Sequence, residues 1–316
     1  MNLRPPPALG IVVPCFNEEA VLRQTNPVLL DLLERLVAAG EIAAESAVYY
    51  VDDGSRDATW PIISDLAVTD PRVHGIRLSR NRGHQAALLA GLFNAPGDVL
   101  VSIDADLQDD PAYIADMVAA YRQGSEIVFG VRDSRETDTV FKRWTAHAFY
   151  RLMQRLGVDL LHNHADFRLM SRRAVDALGE YREVNLFLRG LIPLMGLRTS
   201  TVRYDRRARA AGETKYPLSR MVMFALEGIT SLSVAPLRLI TLFGLLVSFL
   251  SLLMIAYVLY GTLVLRAVIP GWASVVLPIY FLGGVQMLCI GILGEYVSKI
   301  YLETKARPRY LIEETL

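Results

Sequence analysis

Asp104-Ala105-Asp106 sets two carboxylates two residues apart, directly after the apolar run Val99–Ile103. Two such anions repel each other unless a cation lies between them. A hard divalent cation meets that need, and Mg²⁺ typically takes one or two carboxylates and fills its remaining shell with substrate phosphates. The tripeptide by itself also fits a pair of solvated turn acids. The apolar lead before it and Leu107-Gln108-Asp109 after it favour the metal. Four further polar clusters each follow an apolar run: Asn17-Glu18, Asp52-Asp53, Arg80-Asn81 and Arg132. The chain has no Gly-x-x-x-x-Gly-Lys-Ser/Thr loop and no Gly-x-Gly-x-x-Gly after its first apolar run, which disfavours a P-loop kinase and a dinucleotide-binding dehydrogenase. The first turn, Pro14-Cys15-Phe16-Asn17-Glu18, instead offers side-chain acceptors, suited to hydroxyls and base edges.

The elements that must position these clusters read as an alternation. Strands are expected at Leu9–Pro14, Ala47–Val51, Val73–Leu78, Val99–Ile103 and Glu126–Val131. Between them the pattern predicts helices over Glu18–Ala39, from an Asp57 N-cap to Leu66, over His84–Asn94, and from Asp110 or Pro111 to Arg122. Strands alternating with helices predict an α/β fold: a mainly parallel sheet with helices on both faces. Ligands of such sheets sit at the carboxyl ends of the strands, where all five clusters fall.

Composition narrows the function further. The 316 residues carry 33 Lys+Arg against 33 Asp+Glu, so nucleic acid is not an expected partner. Two cysteines, Cys15 and Cys289, give neither a disulfide framework nor a zinc ribbon. Residues 239–294 hold a single charge, Arg266. Leu239–Leu265 would span ~40 Å as a helix, against a hydrocarbon core of ~30 Å. Val275–Gly294 is a second candidate span, with Ile269-Pro270-Gly271-Trp272 as the turn between. Basic residues flank both spans and leave the turn with Arg266 alone, so both termini are expected in the cytoplasm. Met1–Leu9 lacks an apolar core of signal-peptide length, so an inner (plasma) membrane protein with a cytoplasmic catalytic domain is expected.

Ordered motifs tie these pieces together. Val13-Pro14-Cys15-Phe16-Asn17-Glu18-Glu19, Val51-Asp52-Asp53-Gly54-Ser55, Ser79-Arg80-Asn81-Arg82-Gly83 and Asp104-Ala105-Asp106-Leu107-Gln108 resemble those of inverting nucleotide-sugar glycosyltransferases of family two. Ala165-Asp166-Phe167-Arg168-Leu169-Met170, Gly212-Glu213-Thr214-Lys215-Tyr216, Leu226-Glu227-Gly228-Ile229-Thr230-Ser231 and Leu293-Gly294-Glu295-Tyr296 resemble its polyprenyl-phosphate subgroup, above all the bactoprenol (undecaprenyl-phosphate) glucosyltransferases. The resemblance implies a GT-A type fold and a UDP-sugar donor held by Pro14, Asn17, Glu18, Asp52, Asp53, Asn81, Asp104 and Ala105. It implies Mg²⁺ or Mn²⁺ on Asp104 and Asp106, with Asp166 at the catalytic-base position beside Asp106. It also points to a homo-oligomer, a tetramer. Cys15 departs from the usual pattern and is given no role.

The acceptor implied is a polyprenyl phosphate, which stays at the membrane surface. Thr139–Leu156 and Tyr216–Ser233 are expected as interfacial amphipathic helices. Arg209 and Lys215, with Arg132, are the expected ligands of the acceptor phosphate, Arg as a two-point fork and Lys as a point charge. The expected organisation is a catalytic domain over 1–200, a basic loop and juxtamembrane helix over 201–236, a two-helix transmembrane hairpin over 237–298 (about 237–265 and 275–298) and a cytoplasmic tail over 299–316. Three alternatives stay open: another donor on this scaffold (GDP-mannose or an aminoarabinose type), a processive synthase, and a membrane-anchored nucleotide-sugar sensor. Against the synthase, Val140 stands where its Gln-x-x-Arg-Trp motif needs Gln before Arg143-Trp144.

Overall fold

A computed structural model describes residues 3–132, 164–183, 188–204, 234–263 and 271–316. These fall in two compact units. The first holds an eight-stranded sheet in the order β7-β5-β6-β4-β1-β2-β3-β8. Its centre is β1 (Leu9–Cys15), β2 (Ala47–Asp52), β3 (Val73–Leu78) and β4 (Val99–Ser102), all parallel. Every residue of β1, β2 and β4 is buried, which is why these strands read as continuous apolar runs rather than alternating ones. The expected mainly parallel sheet is present.

Helices cover both faces. On one, α1 (Leu22–Ala38), α2 (Thr59–Thr69) and α4 (Ile114–Arg122) pack Leu29, Leu33, Ile63 and Met117 against Ile11, Val13, Val48 and Val101. On the other, α3 (His84–Asn94), α5 (Arg172–Gly179) and α6 (Leu188–Leu194) pack Leu88, Leu92, Val175 and Leu191 against Val12, Val51 and Leu100.

Boundaries differ from expectation where side chains cap the chain. Glu18–Val21 is a turn, and α1 begins at Leu22. Asp57 lies one residue outside the α2 cap; its Oδ1 accepts from the Thr59 amide at 3.0 Å and its Oδ2 from the Glu19 amide at 3.2 Å. That helix continues past Leu66 to Thr69. The fourth strand stops at Ser102, and β5 runs Ile127–Arg132, one residue later than read. Asp110 caps a single 3₁₀ turn, Pro111–Tyr113, before α4.

The half of the sheet beyond β4 is mixed. Strand β6 (His164–Ser171) is antiparallel to both β4 and β5, and β7 (Thr199–Tyr204) is parallel to β5. Strand β8 (Ile312–Thr315) lies antiparallel along β3. Residues 307–316, part of the stretch read as a tail, thus belong to the sheet-bearing unit.

The second unit contains α7 (Ala235–Leu263) and α8 (Trp272–Thr304). Their side chains include exposed Leu242, Leu245, Phe249, Phe281, Met287 and Ile290. Among the described residues one segment, Phe281–Thr304, is long and apolar enough to cross a membrane by length and composition. The helices expected at Thr139–Leu156 and Tyr216–Ser233 lie outside the described residues.

Candidate active site

The strand directions bring one set of ends to one edge: the carboxyl ends of β1 to β5 and β7, and the amino end of β6. The three loops after β1, β2 and β3 are knitted by side chain to backbone bonds. Asn17, in a left-handed conformation (φ 56°), takes the Arg56 amide on Oδ1 at 3.0 Å, and its own amide donates to Ser55 Oγ at 2.9 Å. The Glu18 amide donates to Thr59 Oγ1 at 2.8 Å. Asp52 takes the Ser55 amide on Oδ1 at 3.0 Å. Asp53 takes the amides of Arg82 (2.7 Å) and Gly83 (2.8 Å), one on each oxygen. Burial raises the pKa of Asp53 against these two bonds, which pull it down. Asp52 and Asp53 are both buried, so in this state they organise the edge that was read as the nucleoside site. Pro14 is buried within β1, whereas Asn81 is exposed on the third loop. Burial also pushes the Cys15 thiol up, as suits a packing residue.

Gly54 makes this knitting possible. Its φ is 66°, and a Cβ there would stand 2.7 Å from the backbone of Arg80 and Asn81. Gly54→Ala is expected to destabilise the fold by about 1–2 kcal/mol from the left-handed conformation alone, with the clash in addition. Thermal unfolding measures the loss, and an unchanged melting temperature would contradict the close approach.

The second cluster sits on β4 and β6. The loop after β4 is held by three contacts: the Leu107 amide on the Asp104 carbonyl (3.2 Å), the Gln108 amide on Asp106 Oδ1 (3.2 Å), and Thr25 Oγ1 on the carbonyl of buried Ala105 (2.6 Å). Leu107 turns the chain with φ 46°. Asp104 is 48% exposed, and Asp106 is exposed. His84, which opens α3, lies with Nε2 3.1 Å from Asp104 Oδ1. Enclosure disfavours the imidazolium, but the Asp104 hydrogen bond and the charges of Asp104 and Asp166 outweigh it and raise the His84 pKa.

Ser102 is registered with Arg168, so two residues further along the ladder Asp104 and Asp166 reach the same edge. Ser102 Oγ donates to the Asp166 carbonyl. The Asp166 carboxylate lies between two guanidiniums: Arg168 Nη2 at 2.5 Å on Oδ1, and Arg189 with Nη2 at 3.0 Å from Oδ2 and Nε at 3.3 Å from Oδ1. Burial works to raise the Asp166 pKa, yet Arg168 and Arg189 prevail and hold it well below the usual carboxylate range.

The sheet edge therefore carries Asp104, Asp106 and Asp166, and beside them His84, Arg168 and Arg189. Arg132 ends β5 at this edge, in register with Tyr204. Arg209 and Lys215 lie outside the described residues. Asp104 and Asp106 supply two accessible hard oxygen donors on one fixed loop, which fits a divalent cation completed by substrate oxygens. Among the described residues no cluster of three metal-ligating side chains is present.

A mainly parallel α/β sheet with paired acids and fixed loops at its carboxyl edge places its ligand site across that edge. Residues 10–179 match the family model for glycosyl transferase family 2, and the chain belongs to that family and is a glycosyltransferase. It is 50% identical to a protein named uncharacterized glycosyltransferase YkoT from Bacillus subtilis (strain 168), over 97% of this chain and 91% of that one. It is 40% identical to the bactoprenol glucosyl transferase of Shigella phage SfX, over 96% of this chain and 98% of that one. The Escherichia coli (strain K12) prophage bactoprenol glucosyl transferase homolog is 39% identical, with the same two coverages of 96% and 98%. These relatives and the apolar segment of α8 together indicate a membrane-associated enzyme.

Proposed function

We propose that the enzyme transfers glucose from UDP-glucose to a polyprenyl phosphate such as undecaprenyl phosphate, with inversion, at the cytoplasmic face of the membrane. The observation that carries the reading is the convergence of Asp104, Asp106 and Asp166 at one sheet edge in a chain 40% identical, nearly end to end, to a bactoprenol glucosyl transferase. The donor's nucleoside lies over the loops organised by Asn17, Glu18, Asp52, Asp53 and Asn81. Asp104 and Asp106 hold Mg²⁺ or Mn²⁺, which supplies positive charge against the departing nucleoside diphosphate.

Bond accounting frees Asp166 from deprotonating a nucleophile. A phosphate monoester has a second pKa near ~6, so at neutral pH its attacking oxygen is already anionic. That oxygen bonds the anomeric carbon while the bond from that carbon to the diphosphate breaks, and its electron pair leaves with UDP. The products are a phosphodiester and UDP, and no proton is released. Asp166 then serves to orient the acceptor and to stabilise positive charge developing on the sugar ring.

Segments outside the described residues complete the reading. Strand β7 ends at the site edge with Tyr204, and Arg209 and Lys215, a few positions further in the sequence, are read as acceptor-loop ligands alongside Arg132. The two long helices α7 and α8 are read as a hairpin with both chain ends in the cytoplasm, and assembly as a homo-oligomer, a tetramer, is part of the same reading.

Incubation of purified protein and polyprenyl phosphate with several UDP- and GDP-sugars, followed by mass spectrometry of the lipid fraction, tests the proposal. UDP-glucose is expected to give the lipid-linked hexose, and NMR of the product is expected to show a β linkage from the α-linked donor. Product from GDP-mannose alone would overturn the donor assignment, and an α linkage would overturn inversion.

A further inference from the structure

The two arginines on Asp166 differ in kind. Arg168 belongs to β6 and is 1% exposed, while Arg189 comes from α6 and is 37% exposed. Arg168 is committed to the fold: its counter-ion lies two residues away on the same strand, and removing it from Asp166 would strand a buried charge. Arg189 brings its guanidinium to the carboxylate from a different element and keeps part of it open to water, where a second anion can reach it. The contact itself is two-pronged, through Nε and Nη2 to the two carboxylate oxygens. A phosphate presents the same pair of oxygens to that fork, with more charge.

Position adds a second argument. His84, which touches Asp104, is close enough to both Asp166 and Arg189 for their charges to act on it. Arg189 therefore belongs to the same charge cluster as the acids that face the leaving group, which is where an attacking oxyanion must arrive.

We propose that Arg189 is a ligand of the acceptor's phosphate: it releases the Asp166 carboxylate and grips the incoming phosphate, while Arg168 keeps Asp166 in place. Asp166 thus occupies the phosphate's fork until the acceptor comes. The inference rests on the reading of the acceptor as a lipid-linked phosphate. It explains why a carboxylate at the centre of the site carries two guanidiniums: one neutralises it so that a second anion can approach, and the other receives that anion.

The donor's diphosphate offers the same oxyanion chemistry, so the test must separate the two substrates. Arg189→Ala is expected to raise the KM for polyprenyl phosphate roughly 10–100-fold, as for loss of a charge-assisted pair, while UDP affinity stays within about twofold. Arg189→Lys, which keeps the charge and loses the fork, is expected to fall between the two. An unchanged acceptor KM with a lowered kcat would overturn the proposal and leave Arg189 as a positioning residue for Asp166. A tenfold loss of UDP affinity would overturn it in favour of the donor. Thermal-shift titration with a short-chain prenyl phosphate, without donor, applies the same test where turnover is absent. Wild-type protein that binds this ligand through Arg189 yet forms no product with any nucleotide sugar would overturn the proposed reaction and leave the phosphate site standing.

Discussion

Asp104→Ala and Asp106→Ala are each expected to reduce transfer by a factor of ~10³ or more, about 4 kcal/mol of transition-state stabilisation at 1.36 kcal/mol per decade. The reason is electrostatic. Departure of a nucleoside diphosphate concentrates negative charge that water would otherwise have to solvate, and on the proposed reading these two carboxylates would hold the cation that offsets it. Asp104 is half exposed and Asp106 exposed, so neither supports the core, and the expected change in melting temperature is small. The Ala105 carbonyl bond to Thr25 and the Leu107 turn hold the loop in both variants, although Asp106→Ala also removes the acceptor of the Gln108 amide. His84 provides the control. His84→Ala removes the ring from Asp104 but leaves both oxygen donors, so it is expected to lower activity far less than loss of either acid. Mass-spectrometric assay before and after EDTA dialysis, with Mg²⁺ or Mn²⁺ restored, completes the measurement. Full activity in either alanine variant would refute the metal assignment.

The parts legible from sequence are those whose burial is uniform. Strands β1, β2 and β4 are buried throughout, so they appear as apolar runs, and the polar residues that follow them mark the sheet edge. The remainder depends on contacts distant along the chain. His164–Ser171 contains Arg168 in mid-strand, and no pattern of hydrophobicity says that this arginine is buried. Its counter-ion sits at i−2, on the same face of a strand but ambiguous until the strand is known. Arg189 lies 23 positions from Asp166 and reaches it through the packing of α6. Strand β8 pairs with β3 across more than 200 residues, and only the antiparallel register reveals it. His84 carried a local signal: it follows Gly83 directly after the third polar cluster, at the same edge as the rest. Asp52 and Asp53 show a different limit. Their position was readable, but their present hydrogen bonds run to the amides of neighbouring loops.

Asp166→Asn is the substitution expected to damage both fold and chemistry, and the two effects separate by pH. The mutation leaves Arg168, 1% exposed, without its charged partner, and an uncompensated buried charge costs about 3–5 kcal/mol. Because the folded pKa of Asp166 is depressed, its contribution to stability is fully present above the unfolded value of ~3.9 and is lost only as pH falls toward the folded one. In a His84→Ala background, which removes the imidazole coupled to Asp166, the stability gap caused by Asp166→Asn is therefore expected to stay constant from pH 8 to about 5 and to narrow only below ~4. A gap that widens as pH falls from 7 to 5 would mean a raised folded pKa, and with it a base. The chemistry is read independently. A carboxylate held so low is a weak proton acceptor, so the acid limb of kcat is expected to follow the acceptor phosphate near pH ~6. Asp166→Asn should lower kcat by roughly 10²–10³-fold, within the range for one lost electrostatic contact, yet keep that limb in place. Disappearance of the limb would restore Asp166 as the base. Should the single variant unfold, pairing it with Arg168→Met removes the stranded charge and is expected to recover most of the melting temperature. Activity is expected to remain low, because stability depends on the match between Asp166 and Arg168, whereas the proposed reaction needs the anion at Asp166.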